Sequence, residues 1–136
     1  MNVRTLLLSA WLLLLLPLAV LAGDEEGKPA AEPQYVKLSP AFVVNVKRGT
    51  GARFLQVKAD VLVNSKDDAK LVEQHMPLIR HTMIMTISDR DGRKIRTIQM
   101  REQLRAEAEA AIRKALKEAA GREVIEGLFF TDFVVQ

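Results

Sequence analysis

Leu6 to Ala22 is a run of seventeen uncharged residues, ten of them leucine. The only charges before it are Arg4 and the amino terminus, and Asp24, Glu25 and Glu26 follow at once. Such a segment partitions into a bilayer with its positive end held in the cytoplasm and its acidic flank carried across. It takes the first 22 residues out of any globular core and commits the rest of the chain to the far side of a membrane. At 1.5 Å per helical residue the run spans roughly 25 Å, slightly less than the roughly 30 Å hydrocarbon core. Leu6, Leu12, Leu16 and Leu21 are therefore expected to lie within the membrane, with some local thinning of the bilayer. A cleaved reading stands beside the anchored one. Val20-Leu21-Ala22 sets small or modest side chains before Gly23, and Pro17 breaks the helix just upstream, the pattern of a signal-peptidase site between Ala22 and Gly23. No cysteine follows the run, which excludes a lipoprotein.

The 114 residues after Ala22 make one domain. A domain of this size can build a core without staples, and with no cysteine in 136 residues packing must hold it alone. Residues 23 to 34, beginning GDEEGKPAAEP, are polar, carry two prolines and show no period. They read as an extended linker, either a passive spacer or a segment that meets a neighbouring membrane protein. From residue 34 onward there are 18 basic and 13 acidic side chains. That mild excess reads first as a solvated mixed-charge surface and second as a preference for an acidic partner or anionic lipid. The compartment excludes nucleic acid.

The globular part begins with strands. From Tyr35 to Val46, Val36, Leu38, Phe42, Val44 and Val46 share one face, with Pro40 marking a bulge or an edge position. Gly49-Thr50-Gly51 supplies a turn. Arg53 to Asn64 alternates cleanly, with Leu55, Val57, Ala59, Val61 and Val63 on one face and Gln56, Lys58, Asp60 and Asn64 on the other, as in a half-buried antiparallel strand. Ser65 then caps a helix, and Asp68 three residues on completes an S-x-x-D box. The helix is expected to run to about Ile87 with a kink at Pro77. Its apolar stripe comprises Leu71, Val72, His75, Met76, Ile79 and Met83, widened by Leu78, Ile84 and Met85.

Ser88 to Arg93 is a turn, and a second helix is expected over Ile98 to Ala120. It faces inward through Leu104, Ala108, Ala111, Ile112, Ala115, Leu116 and Ala119. Arg101, Arg105, Glu109, Arg113, Lys114, Lys117 and Glu118 are expected in water, with Glu109–Arg113 and Lys114–Glu118 as i,i+4 pairs. Gly121 ends the helix. The last segment, Val124 to Gln136, reads as a strand apolar on both sides. Ile125, Phe129, Phe133 and Val135 are assigned to one side, and Leu128, Phe130 and Val134 to the other. Such a strand is either central in a covered sheet or completed by another subunit. Surface around Phe130 and Val134, with Tyr35 and Phe133, is therefore expected to meet a second copy or a partner. The fold class is α+β, in the order β-β-α-α-β with a mainly antiparallel sheet.

No catalytic set emerges. His75 and His81 are six residues apart, which on one helix separates them by about 240° and prevents shared ligation. The serines lack a G-x-S-x-G setting, the double-glycine turn lacks a following GK[ST], and the SDRDGR turn lacks calcium-loop spacing. The residues point away from an enzyme, and neither metal, cofactor nor small-molecule substrate is expected.

Three segments carry a resemblance. Phe42-Val43-Val44-Asn45-Val46, His75-Met76-Pro77-Leu78-Ile79-Arg80 and Leu128-Phe129-Phe130-Thr131-Asp132-Phe133-Val134-Val135-Gln136 resemble signatures of the flagellar basal-body protein family FliL, in the same order. The likeness covers residues 36 to 136. It implies a single-pass inner-membrane protein with a periplasmic domain, residues 35 to 136, of stomatin-like fold that assembles into rings. It also implies association with flagellar stator units of the MotA/MotB type and a role in flagellar rotation, swimming, swarming and chemotaxis, with no catalytic residues. Residues 23 to 34 would then be the segment that lies against the stator. Three features depart from the family pattern: five residues precede the apolar run, the cleavage pattern follows it, and Thr97-Ile98-Gln99-Met100-Arg101 lacks a glycine often found there.

Overall fold

Alternation over eleven residues makes β3 (Arg53–Val63) the longest strand and the centre of the sheet. Its Leu55, Val57, Ala59, Val61 and Val63 are all buried, as a strand wetted on one face requires. The computed structural model describes residues 31–47 and 53–136. Leu6, Leu12, Leu16, Leu21, Ala22 and Gly23, most of the linker and the Gly49-Thr50-Gly51 turn lie outside the described residues. Among the described residues no helix is long and apolar enough to cross a membrane.

All three strands that pair with β3 run antiparallel to it. On one edge lie β1 (Gln34–Lys37) and β2 (Phe42–Val46), end to end. Gln34 stands opposite Val63 at one end, and Val46 opposite Arg53 at the other. The expected single strand is thus broken at Ser39-Pro40, where proline cannot supply a ladder donor. Leu38 keeps the line by donating its N–H to the Ala59 carbonyl at 2.9 Å. Arg80 braces the break. It donates to the Pro40 carbonyl at 2.6 Å and lies 4.4 Å from the centre of the Phe42 ring.

β4 (Gly127–Val135) takes the other edge, from Leu62↔Gly127 to Leu55↔Val135. The last strand is therefore an edge strand, not the central one. Between Ala59↔Phe130 and Lys58↔Asp132 the register shifts by one, leaving Thr131 as a bulge. A bulge reverses which face later side chains take. Phe130 and Phe133 consequently both point to the helical side, their rings stacked 5.7 Å apart, whereas Phe129 and Val134 point outward. This corrects the expected division, which joined Phe129 with Phe133 and Phe130 with Val134.

Among the described residues the helices cover one face of the sheet. Ser65 caps α1 (Lys66–Gln74): its Oγ accepts the Asp68 N–H at 3.1 Å and donates to the Asp68 carboxylate at 2.7 Å. The expected long kinked helix is two helices. α1 ends at His75, and α2 (Met76–Ile87) starts with Pro77 in its first turn, where a missing N–H costs nothing. His75 is half-buried at this junction, not in the core, and His81 is exposed. Val72, Ile79, Met83 and Ile87 are fully buried, but Ile84 and Met85 are exposed, so the stripe is narrower than expected.

The following turn docks on the end of β2. Asp89 donates to the Asn45 carbonyl at 3.0 Å, Lys47 to the Arg90 carbonyl at 2.8 Å, and Gly92 to the Lys47 carbonyl at 2.9 Å. A Cβ on Gly92 would stand 3.0 Å from a Val46 methyl, so this close approach suits glycine. After a 3₁₀ turn (Lys94–Arg96), Thr97 caps α3 (Ile98–Ala120), and Gly121 ends it with φ 75°. Leu104, Ala108, Ile112 and Leu116 are buried. Ala119, expected inside, is exposed.

Candidate functional site

Two sides of the sheet meet different fates. The helical side closes over the core, and the outer side has no element of the described residues across it. β3 contributes Phe54, Gln56, Lys58, Asp60 and Leu62 to the outer side, and its neighbours add Tyr35, Val43, Phe129, Asp132 and Val134. Tyr35, Val43, Phe54, Phe129 and Val134 are between 38% and 64% exposed. Large apolar side chains grouped on one face of a small domain mark an interaction surface.

The surface is ordered. Val43 and Val134 flank Gln56 from opposite sides, with Phe54 two residues along β3. At the other end the Tyr35 and Phe129 rings meet edge-on across β3, 5.8 Å apart. A polar waist separates these ends, where Lys58 and Asp132 pair at 3.6 Å between adjacent strands. Such an exposed pair contributes little to stability but sets an alignment that an apposed surface must match.

Of the expected contact residues, Tyr35 and Val134 lie on this face, and Phe130 and Phe133 do not. The bulge at Thr131 sends both phenylalanines to the helical side, half-buried. Val43 and Phe54 were legible as outward positions from the alternation of their strands. Phe129 was not, because nothing in the local pattern announces the bulge.

α3 is also less solvated than its charges imply. Arg105, Glu109 and Arg113 are half-buried and close over the start of β4, in place of the fully watered face expected. Glu109 accepts the Leu128 N–H and pairs with Arg105 at 2.6 Å and Arg113 at 3.0 Å. Arg105 donates to the Leu128 carbonyl at 3.0 Å, and Arg113 donates to the Ile125 and Glu126 carbonyls. Partial burial alone pushes the Glu109 pKa up. The Leu128 N–H and the two guanidiniums outweigh it and hold the carboxyl below its ordinary value. The same pairing, led by Glu102, raises the pKa of Arg105. The expected Glu109–Arg113 pair forms, whereas Lys114–Glu118 is absent from the ion pairs of the described residues. This cluster is structural: it answers the backbone groups of an edge strand.

Among the described residues no three His, Asp or Glu side chains converge on a point where a metal ion would sit.

Comparison with known proteins places these elements in a family. The family model described as flagellar basal body-associated protein FliL matches residues 35–136. A flagellar protein FliL of Aquifex aeolicus (strain VF5) is 32% identical over 100 residues, 74% of this chain and 60% of that relative. The aligned region thus spans less than two thirds of the relative's length. The match begins at Tyr35, on β1, and runs through β4, so among the described residues it takes in the sheet, but for Gln34, and α1, α2 and α3. On this evidence the chain belongs to the flagellar basal body-associated FliL family.

Proposed function

We propose that this chain is a non-enzymatic flagellar motor protein. Its first 22 residues anchor it in the bacterial inner membrane, and its domain, in the periplasm, self-associates and supports the stator units. The partners on this reading are stators of the MotA/MotB type and further copies of the chain, arranged as a stomatin-like ring. Residues 23 to 34 lie beside the stator. Membership of a basal body-associated family supports the flagellar setting. The observation that carries the self-association is the outer sheet face, where Tyr35, Val43, Phe54, Phe129 and Val134 stand exposed around a polar waist. A domain with this arrangement has a surface to grip with, which suits a role in mechanical support under load.

The test is a deletion strain complemented with either the native chain or a Val43→Glu, Val134→Glu double variant. The native chain is expected to restore swarming on stiff agar, and the double variant to accumulate normally without restoring it. Normal swarming of the deletion strain sinks the motor reading. The Val20-Leu21-Ala22 pattern favours a second reading, a released periplasmic adaptor or a stomatin-like scaffold for another envelope complex. A carbonate wash separates the two: an anchored chain stays with the membrane at the mass of all 136 residues, and a released one washes free at the mass of residues 23 to 136.

A further inference from the structure

β4 has a second unsatisfied surface, along the edge away from β3. Gln136 exchanges backbone hydrogen bonds with Phe54 at 2.9 and 3.2 Å. Pairing in an antiparallel ladder alternates, so beyond the Thr131 bulge Phe133 and Val135 direct their N–H and C=O groups away from the sheet. At the start of the strand the equivalent groups of Leu128 are answered by Glu109 and Arg105. Among the described residues no hydrogen bond outside the ladders engages those of Phe133 and Val135. Half of this edge is therefore closed, and half is left as a template for another strand.

The charges divide the same way. An open groove of about 870 Å³ runs between α3 and β4, lined by Ile98, Arg101, Phe130 and Phe133 among others. In its closed half Glu102 and Glu109 pair with Arg105, and Glu109 also with Arg113 just outside the groove. At its open half a smaller hollow, sharing Arg101 and Phe133 with the groove, is lined by Arg96, Arg101, Phe133 and Val135, and neither arginine appears in an ion pair among the described residues. The Arg101 guanidinium sits 5.6 Å from the centre of the Phe133 ring, and its buried Nε has no hydrogen-bond partner. The first turn of α3 contains no acidic residue to offset the positive helix start. Of the other groove carboxylates, Asp132 is paired with Lys58, and Glu126 lies beyond the far end of the strand. Ile98, 77% exposed, walls the open half.

We propose that the β4 edge at Phe133 and Val135 binds an extended segment of a partner protein by strand addition, with an acidic side chain of that segment on Arg101 and Arg96. Backbone pairing supplies the affinity, and the arginines select the charge. A second copy's β4 is a poor occupant, because two-fold pairing centred there brings both copies' Arg96 and Arg101 together. This edge is separate from the outer sheet face, so its test stands whether or not that face self-associates.

Fluorescence anisotropy of a labelled, acetylated hexapeptide, Thr-Val-Glu-Val-Thr-Val-amide, titrated with the purified full chain provides the test. The peptide is expected to bind about tenfold more tightly than its Glu→Gln counterpart, a difference of the size of one charge-assisted contact. That difference is expected to vanish in Arg101→Gln and to return in part in Arg101→Lys, while Lys114→Gln leaves it unchanged. N-methylation of the peptide at alternate amides is expected to abolish binding in one phase and spare it in the other, since only every second N–H faces β4. Equal binding of the Glu and Gln peptides, methylation effects without alternation, or no binding at millimolar concentration overturns the proposal. A chain with Asp24→Asn, Glu25→Gln and Glu26→Gln checks the competing occupant. If that variant alone binds the peptide, the edge belongs to the chain's own acidic segment, and the separate partner is ruled out.

Discussion

The carboxylate of Glu109, in the middle of α3, accepts the backbone N–H of Leu128 at 3.2 Å. One contact thereby ties the middle of α3 to the start of the edge strand, and Arg105 completes it by donating to the carbonyl of the same residue at 3.0 Å. A helix that carries charges toward a strand edge does the work another strand would otherwise do. It satisfies the backbone and leaves less edge free for unwanted pairing.

Replacing Glu109 with Gln is therefore expected to cost about 1–3 kcal/mol at neutral pH, the range for losing a charged partner of part-buried groups. The pH dependence has a definite sign. A carboxyl held below its ordinary value of 4.5 contributes stability above that value and loses it as pH falls through the folded one. Urea unfolding from pH 7 to pH 3 should show the native chain losing its advantage over Glu109→Gln on acidification. Some acid sensitivity should persist in the variant. The Arg105 guanidinium also holds Glu102 low, and the Arg93 N–H does the same for Asp91.

Ser65 closes the turn between the central strand and the helices. Ser65→Ala removes both the acceptor for the Asp68 N–H and the donor to its carboxylate. The expected loss is about 1 kcal/mol, seen as a lower denaturation midpoint with an unchanged m-value.

Ile112 and Ala108 lie fully buried on the same face of α3. Ile112→Ala is expected to cost about 2–5 kcal/mol through the cavity it leaves. Ala108→Leu is expected to cost about 1–3 kcal/mol by forcing the helix off its neighbours. Equal tolerance of both changes in thermal unfolding would mean that α3 is not packed as described.

Tyr35 and Phe129 approach edge-on across β3 at 5.8 Å. A double-mutant cycle with Tyr35→Ala and Phe129→Ala is expected to give a coupling of about 0.5–1.5 kcal/mol. Val43→Glu, on the same face but outside that contact, is expected to change monomer stability by less than about 0.5 kcal/mol. Its effect should instead appear in the sedimentation of any assembly.

Much of the domain follows from short-range patterns. Period-two alternation sets the burial of β3, because successive side chains must take opposite faces. The Ser65 box, the Thr97 start and the Gly121 end of the helices depend on a few neighbouring residues and are legible for that reason. Pro40 and Pro77 announce interruptions, although proline says only that a donor is missing and not how the chain will recover. The recoveries are tertiary: Arg80 braces the first break, and His75 becomes a junction between two helices.

What the residues settle unaided is which side chains of β3 avoid water, and that strands and helices combine in an α+β fold. What three dimensions decide is where β4 goes and what meets it. Whether Phe129 or Phe130 faces outward hangs on one extra residue at Thr131, a matter of register with β3 that no local period encodes. The fate of Arg105, Glu109 and Arg113 likewise depends on a backbone about twenty residues away. Their charges read as solvated until β4 presents amide and carbonyl groups that need partners.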